Sequence, residues 1–168
     1  MIAAGLVWIA GCTSSTSHAG DSPPRANAVV TEILDGDTID VEIGGRTERV
    51  RLIGIDTPEI AHPAFDGRAA NDAECYGEAA KAYIGDLLAV GSGVRLERDV
   101  VARDDYGRLL AYVYRASDGT FVNYEIVRHG FAQPLTIAPN THFAEIYVDG
   151  ARSAEEDDVG LWAACREP

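Results

Sequence analysis

The chain has almost no lysine: Lys81 is the only one in 168 residues, and the rest of its positive charge is arginine. Against 14 Lys and Arg stand 27 Asp and Glu, a net charge of -13. That deficit excludes diffuse attraction to polyanions, which requires a broadly basic surface. Recognition of an anion must therefore be local, at arginines whose planar guanidinium can grip phosphate or carboxylate in bidentate fashion. No apolar run reaches the roughly 20 residues of a membrane-spanning helix, no Cys/His cluster suggests zinc, and no internal repeat is present. What remains, 46% hydrophobic and 24% charged, is an ordinary globular balance with room for one domain and one core.

At the N-terminus, Ile2 to Ala10 is an uncharged apolar run that ends in Ile9-Ala10-Gly11-Cys12. Small residues before a cysteine resemble a bacterial lipoprotein signal, with residues 1–11 removed and Cys12 lipidated as the mature N-terminus. The run departs from that pattern in having no Lys or Arg ahead of it. The alternatives are a cleaved secretory signal or a misplaced start with Cys12 incidental. Both export readings place the protein outside the cytoplasm, either membrane-anchored or secreted. Residues 12–27 are rich in Ser, Thr, Gly and Pro and read as a flexible tether. Cys75 and Cys165 are left, and an even pair in a small domain in an oxidising compartment is expected to form a disulfide; two buried free thiols are the alternative.

The domain expected over 28–168 opens with a strand from Ala28 to Ile33, an Asp35-Gly36 turn, and clean alternation from Thr38 to Ile43. Gly44-Gly45 makes a hairpin turn into a third strand through Val50, Leu52, Ile53 and Ile55, which ends at Asp56-Thr57-Pro58. A helix from Ala79 to Val90 follows a polar loop. Two more strands follow, around Val94–Leu96 and Leu110–Tyr114, with a turn at Asp104–Gly107. Helices over Val122–His129 and about Thr141–Asp157 complete the chain. Five strands with a helix between the third and fourth form the pattern of an OB-fold barrel, an α+β arrangement with three helices.

Two acidic motifs lie at strand ends that a small barrel can bring together: Asp35-Gly36-Asp37-Thr38, and Arg51 followed by Asp56-Thr57-Pro58-Glu59. Asp37 and Asp56 offer hard oxygens suited to Ca²⁺. Each motif alone is equally an ordinary turn or strand exit. Both in order, followed by Tyr106-Gly107-Arg108, Val122-Asn123 and Gly130-Phe131-Ala132, closely resemble the staphylococcal-nuclease-like (thermonuclease) family over about residues 28–163. The resemblance implies Ca²⁺-dependent hydrolysis of DNA and RNA that leaves 3′-phosphates, performed by a monomer with one ion. It implies that Asp37, Asp56 and the Thr57 carbonyl hold the metal, that Glu59 activates the attacking water, and that Arg51 and Arg108 grip the scissile phosphate. Tyr106 is the candidate nucleotide contact.

Glu97 and His142 fall where the family has a carboxylate–histidine pair tying barrel to C-terminal helix, so His142 reads as structural. The sequence departs from the family in three places, of which one, the helix start Tyr76-Gly77-Glu78-Ala79 with its glutamate one place early, touches a helix-anchoring salt bridge and not the chemistry. Asp105 stands where lysine is frequent, and Gln133-Pro134-Leu135-Thr136-Ile137 replaces a tyrosine-bearing segment that helps hold the base; both changes weaken expected binding. The competing reading is a catalytically silent OB module that binds anions or a protein partner at the cell surface.

Overall fold

The structure, a computed structural model, describes residues 25–64 and 69–166. The expected leader, Cys12 and the tether as far as residue 24 lie outside the described residues. Asn27, at the end of the expected tether, is built into the domain: its side-chain amide donates to the Leu96 carbonyl (3.0 Å) and its side-chain oxygen accepts the Leu96 amide (2.8 Å).

Alternation in the sequence sets the first two strands, β1 (Ala28–Ile33) and β2 (Thr38–Ile43). They pair antiparallel, with an irregularity between Val30 and Glu32 that bends β1. β3 (Arg46–Leu52) returns along β2, with Thr38 opposite Arg51. The apolar run expected to continue through Ile55 instead breaks at Gly54, which adopts a φ of +82°. A Cβ there would overlap the Tyr147 ring, so glycine is required both for the backbone angle and for the close packing. Beyond the break, β4 (Ile55–Asp56) leaves the barrel and pairs with β7 (Gln133–Pro134), a two-residue ladder too short to carry a periodic signal.

β5 (Gly93–Glu97) and β6 (Leu109–Arg115) complete a closed barrel in the order β1-β2-β3-β6-β5, as the OB pattern requires. Closure includes a parallel pairing, in which Val50, Leu52 and Arg51 of β3 face Leu109, Ala111 and Leu110 of β6. Val30, Ile39, Val41, Val50, Leu52, Val94 and Val113 are sealed inside, each contributing roughly 1.5–3 kcal/mol of apolar burial.

Three helices cap this core. α1 (Gly77–Leu87) buries Ala80 and Ile84, spaced four apart on one face. α2 (Val122–Arg128) buries Val122, Ile126 and Val127, and α3 (Ala144–Glu156) buries Tyr147 and Ala151. A single turn, α4 (Leu161–Ala164), follows. Fully buried Asn123 fastens α2 to the barrel by accepting the Val113 amide (2.8 Å) and donating to the Ile53 carbonyl (3.0 Å). Cys75 and Cys165 are joined in a disulfide that ties the segment before α1 to the residue after α4.

Candidate active site

Pairing between β2 and β3 determines the first half of the site. Asp37 sits at the tip of the β1–β2 connection, and the Leu52 amide donates to its backbone carbonyl (2.9 Å). Arg51 is therefore delivered beside Asp37 by register alone. The connection is pressed close to the exit of β3, because a Cβ on Gly36 would come within 2.8 Å of both the Ala80 Cβ and the Thr57 Oγ1. In that position one oxygen of Asp37 accepts the Thr57 amide (3.1 Å) and the other accepts the Thr38 hydroxyl (3.1 Å).

Arg51 is the centre of this cluster, its side chain only 14% exposed. Nη1 donates to the carbonyls of Leu52 and Ile55, both at 2.9 Å. Nη2 meets Asp56 Oδ1 at 2.8 Å and Asp37 Oδ2 at 2.9 Å. Two carboxylates, one from the β1–β2 connection and one from β4, thus converge on one nitrogen. Burial pushes the Asp37 carboxyl up to about 7, against the pull of Arg51, and the neighbouring charge of Asp35 adds to the rise. Asp56 is more open, with a half-exposed side chain.

The second half is an open cleft of about 1200 Å³ along the outer face of β2 and β3, lined by Glu59, Tyr106 and Arg108 together with Asp35, Asp40 and Arg49. Asp35 joins the halves: it lines the cleft and its Oδ1 accepts the Asp37 amide (3.0 Å). The Glu59 backbone is clamped to Glu74, its amide donating to the Glu74 carboxylate (3.1 Å) and its carbonyl accepting the Glu74 amide (2.9 Å). Its carboxylate reaches solvent, 3.6 Å from His62 Nε2.

Arg108 reaches the cleft from the turn before β6. Its Nε donates to Asp104 Oδ2 (2.7 Å), while Asp104 Oδ1 accepts the amides of Tyr106 and Arg108. Although burial opposes it, these bonds hold the Asp104 carboxyl below the ordinary carboxylate range. The Arg108 guanidinium lies 5.6 Å from the centre of the Tyr106 ring, which is 73% exposed. Asp105 is exposed beside it, where it adds negative charge to the rim.

All six residues expected to carry the chemistry thus occupy two adjoining halves of one site, with Arg51, Asp37, Asp56 and Thr57 in the cluster and Glu59 and Arg108 in the cleft. Sequence reasoning missed the approach of His62 to Glu59, for which their spacing of three residues was the available signal, and missed that Asp35 and the Asp40–Arg49 pair line the cleft. It also assigned the wrong carboxylate to the structural anchor. Asp99 Oδ2, not Glu97, accepts the His142 amide (3.1 Å) and the Tyr112 hydroxyl (2.7 Å), while Glu97 pairs with Arg95. Burial and the bond to Asp99 raise the Tyr112 phenol. The segment after Ala132, expected as a depleted base pocket, braces the metal-ligand candidate: Gln133 pairs with Asp56, and the Leu135 amide donates to the Gly54 carbonyl (2.9 Å).

The donor set suits a hard divalent cation. Asp37 and Asp56 place oxygens within reach of a single point now taken by a positive charge, and the buried, raised Asp37 is a carboxylate in need of one. Among the described residues no three His, Cys, Asp or Glu side chains converge, so a cation would complete its shell with backbone oxygen, water or substrate.

Comparison with known proteins agrees with this chemistry. The family model described as staphylococcal nuclease homologue matches residues 49–164. The chain is 33% identical over 149 residues to a thermonuclease of Staphylococcus intermedius, covering 89% of this chain and 80% of that protein. It is 32% identical over 152 residues to endonuclease YncB of Bacillus subtilis, covering 89% and 68%, and 31% identical over 134 residues to a thermonuclease of Staphylococcus hyicus, covering 80% and 74%. A barrel that brings arginines and carboxylates to one edge, in a chain aligned with nucleases along most of its length, leaves no room for the silent-module reading: the chain belongs to the staphylococcal nuclease family and is a nuclease, a hydrolase of phosphodiester bonds.

Proposed function

We propose that this nuclease cuts DNA and RNA with one Ca²⁺ ion and leaves 3′-phosphates. The observation that carries the reading is the meeting of Asp37 and Asp56 on one nitrogen of Arg51. Asp37, Asp56 and the Thr57 carbonyl would hold the ion. A cation held there would supply positive charge against the two carboxylates and Lewis-acid polarisation of a phosphoryl oxygen. Arg51 and Arg108 then donate to the non-bridging oxygens from opposite halves of the site, stabilising the charge that develops there. Glu59, open to solvent at the cleft, takes a proton from the attacking water as its oxygen bonds to phosphorus. The bond to the 5′ oxygen breaks, that oxygen is protonated from solvent, and the phosphate stays on the 3′ side. Tyr106 offers its ring face to a base or sugar.

The protein works as a monomer outside the cytoplasm, tethered through a lipid on Cys12 or released. Supporting that reading are the Ala10-Gly11-Cys12 sequence and a disulfide suited to an oxidising compartment.

End-labelled DNA and RNA, incubated with the enzyme in Ca²⁺ or EGTA and resolved on a gel, test the chemistry. Cleavage should need Ca²⁺ and fall sharply in Glu59→Gln. Activity that survives both EGTA and the substitution would refute the mechanism.

A further inference from the structure

Acids outnumber bases in this chain, and nine arginines are accordingly ion-paired: Arg49, Arg51, Arg95, Arg103, Arg108, Arg115, Arg128, Arg152 and Arg166. Among the described residues four cations, Arg25, Arg46, Lys81 and Arg98, make no such pair. Two of the four, Arg46 and Arg98, line the same groove of about 400 Å³, and Arg103 lines it with them. In an acidic molecule, three guanidiniums around one depression, two of them without a carboxylate, form a concentrated positive patch.

The groove is the open end of the barrel. Arg46 and Glu48 share a face of β3 with the buried Val50 and Leu52, so they point to the barrel's inner side, whereas Thr47 and Arg49 point outward and line the active-site cleft. Its floor is apolar, with half-buried Ile43, Leu96, Leu109 and Leu110. Glu48, the one acid in the groove, is already paired with Arg103 Nη2 at 2.9 Å. Arg103 also bridges to the cleft: its Nη1 donates to the Gly107 carbonyl (2.6 Å), and Gly107 and Arg108 are cleft residues. The two grooves therefore adjoin across the turn before β6.

We propose that the barrel-end groove is a second subsite for single-stranded polynucleotide, with Arg46, Arg98 and Arg103 holding phosphates beyond the one being cut while sugars and bases rest on the leucine floor. Single-strand grooves combine cations that track the backbone with a platform for the bases, usually aromatic; here the platform is aliphatic, so the phosphate contacts carry most of the binding. The subsite explains how an enzyme with a net charge of -13 can retain a polyanion: the acidic surface as a whole repels, and this patch supplies the local attraction. Cations at both ends select strands long enough to span them. A dinucleotide, whose single bridging phosphate is the one being cut, gains nothing from it.

This inference rests on the nuclease acting on polynucleotide, and its test separates the two. The double variant Arg46→Ala/Arg98→Ala is compared with wild type in cleavage of a dinucleotide and of a 20-nucleotide single strand, and in anisotropy binding of the same strand in EDTA. Both side chains are exposed, so the thermal midpoint should not move. For the long strand, KM and Kd should rise on the order of tenfold, and the slope of log Kd against log salt should become shallower by about 1.4, the value for two lost phosphate contacts. Dinucleotide cleavage and kcat should stay unchanged. Equal binding of the long strand by both proteins would overturn the subsite, as would a parallel loss on the dinucleotide. If wild type cut neither substrate, the reaction assigned above would fail while the binding measurement still decided the groove.

Discussion

The two halves of the site are built on opposite plans. In the cluster, the Arg51 Nη atoms hydrogen-bond two carbonyls and Asp56 and ion-pair with Asp37, which is itself held by backbone and hydroxyl donors with almost no solvent access. In the cleft, Glu59 and Tyr106 face water, and Arg108 makes one side-chain bond to Asp104. The cluster is bonded into the fold, while the cleft is largely open to solvent. Stability and activity should respond together in the first half and separately in the second.

Arg51→Ala should break that comparison most forcefully. It leaves Asp37 buried without its counter-charge, and removal of one partner of a buried pair costs about 3–5 kcal/mol. Thermal unfolding should show the loss alongside near-complete loss of cleavage. Glu59→Gln should instead lower kcat by about 10²- to 10⁴-fold, the usual worth of a general base, with an unchanged melting temperature. Arg108→Ala should cost about 10²- to 10³-fold in kcat, again with little change in stability. His62→Ala should be the mildest, because an exposed pair contributes about 0.2–1 kcal/mol, and should move kcat less than about fivefold.

Acidity sharpens the contrast further. The Asp37 carboxyl is raised from 3.8 to about 7 by burial, so the folded protein holds a proton that the unfolded chain has released. Stability in EDTA should therefore be greatest below pH 3.8 as far as this group is concerned, and should decline as pH rises toward 7. Asp37→Asn should flatten that part of the profile in a pH series of melting curves. A decline of equal slope in the variant would show that Asp37 is not its origin.

Much of this was legible in the sequence where the physical signal is local. Period-two alternation located β1 and β2, and acidic residues at strand ends marked both the cluster and Glu59. The barrel order follows from element spacing. Other features depend on packing and had no such signal. The break between β3 and β4 hangs on Gly54 meeting Tyr147, about ninety residues away, so an unbroken apolar run read as one strand. β7 and α4 are too short for any period. Glu97 and Asp99 are two residues apart and interchangeable to a pattern; only the positions of Tyr112 and His142 choose between them. The condition of Arg51, bound to the carboxylates rather than free for phosphate, is a tertiary fact that no motif encodes.

The central claim is that the two carboxylates sharing Arg51 form a cation site. Calorimetric titration of Ca²⁺ into wild-type protein and into Asp56→Asn tests it directly, without substrate. One ion per chain bound by wild type, with binding abolished or much weakened in the variant, is the predicted result. No binding by wild type, or identical isotherms for the two proteins, would contradict it.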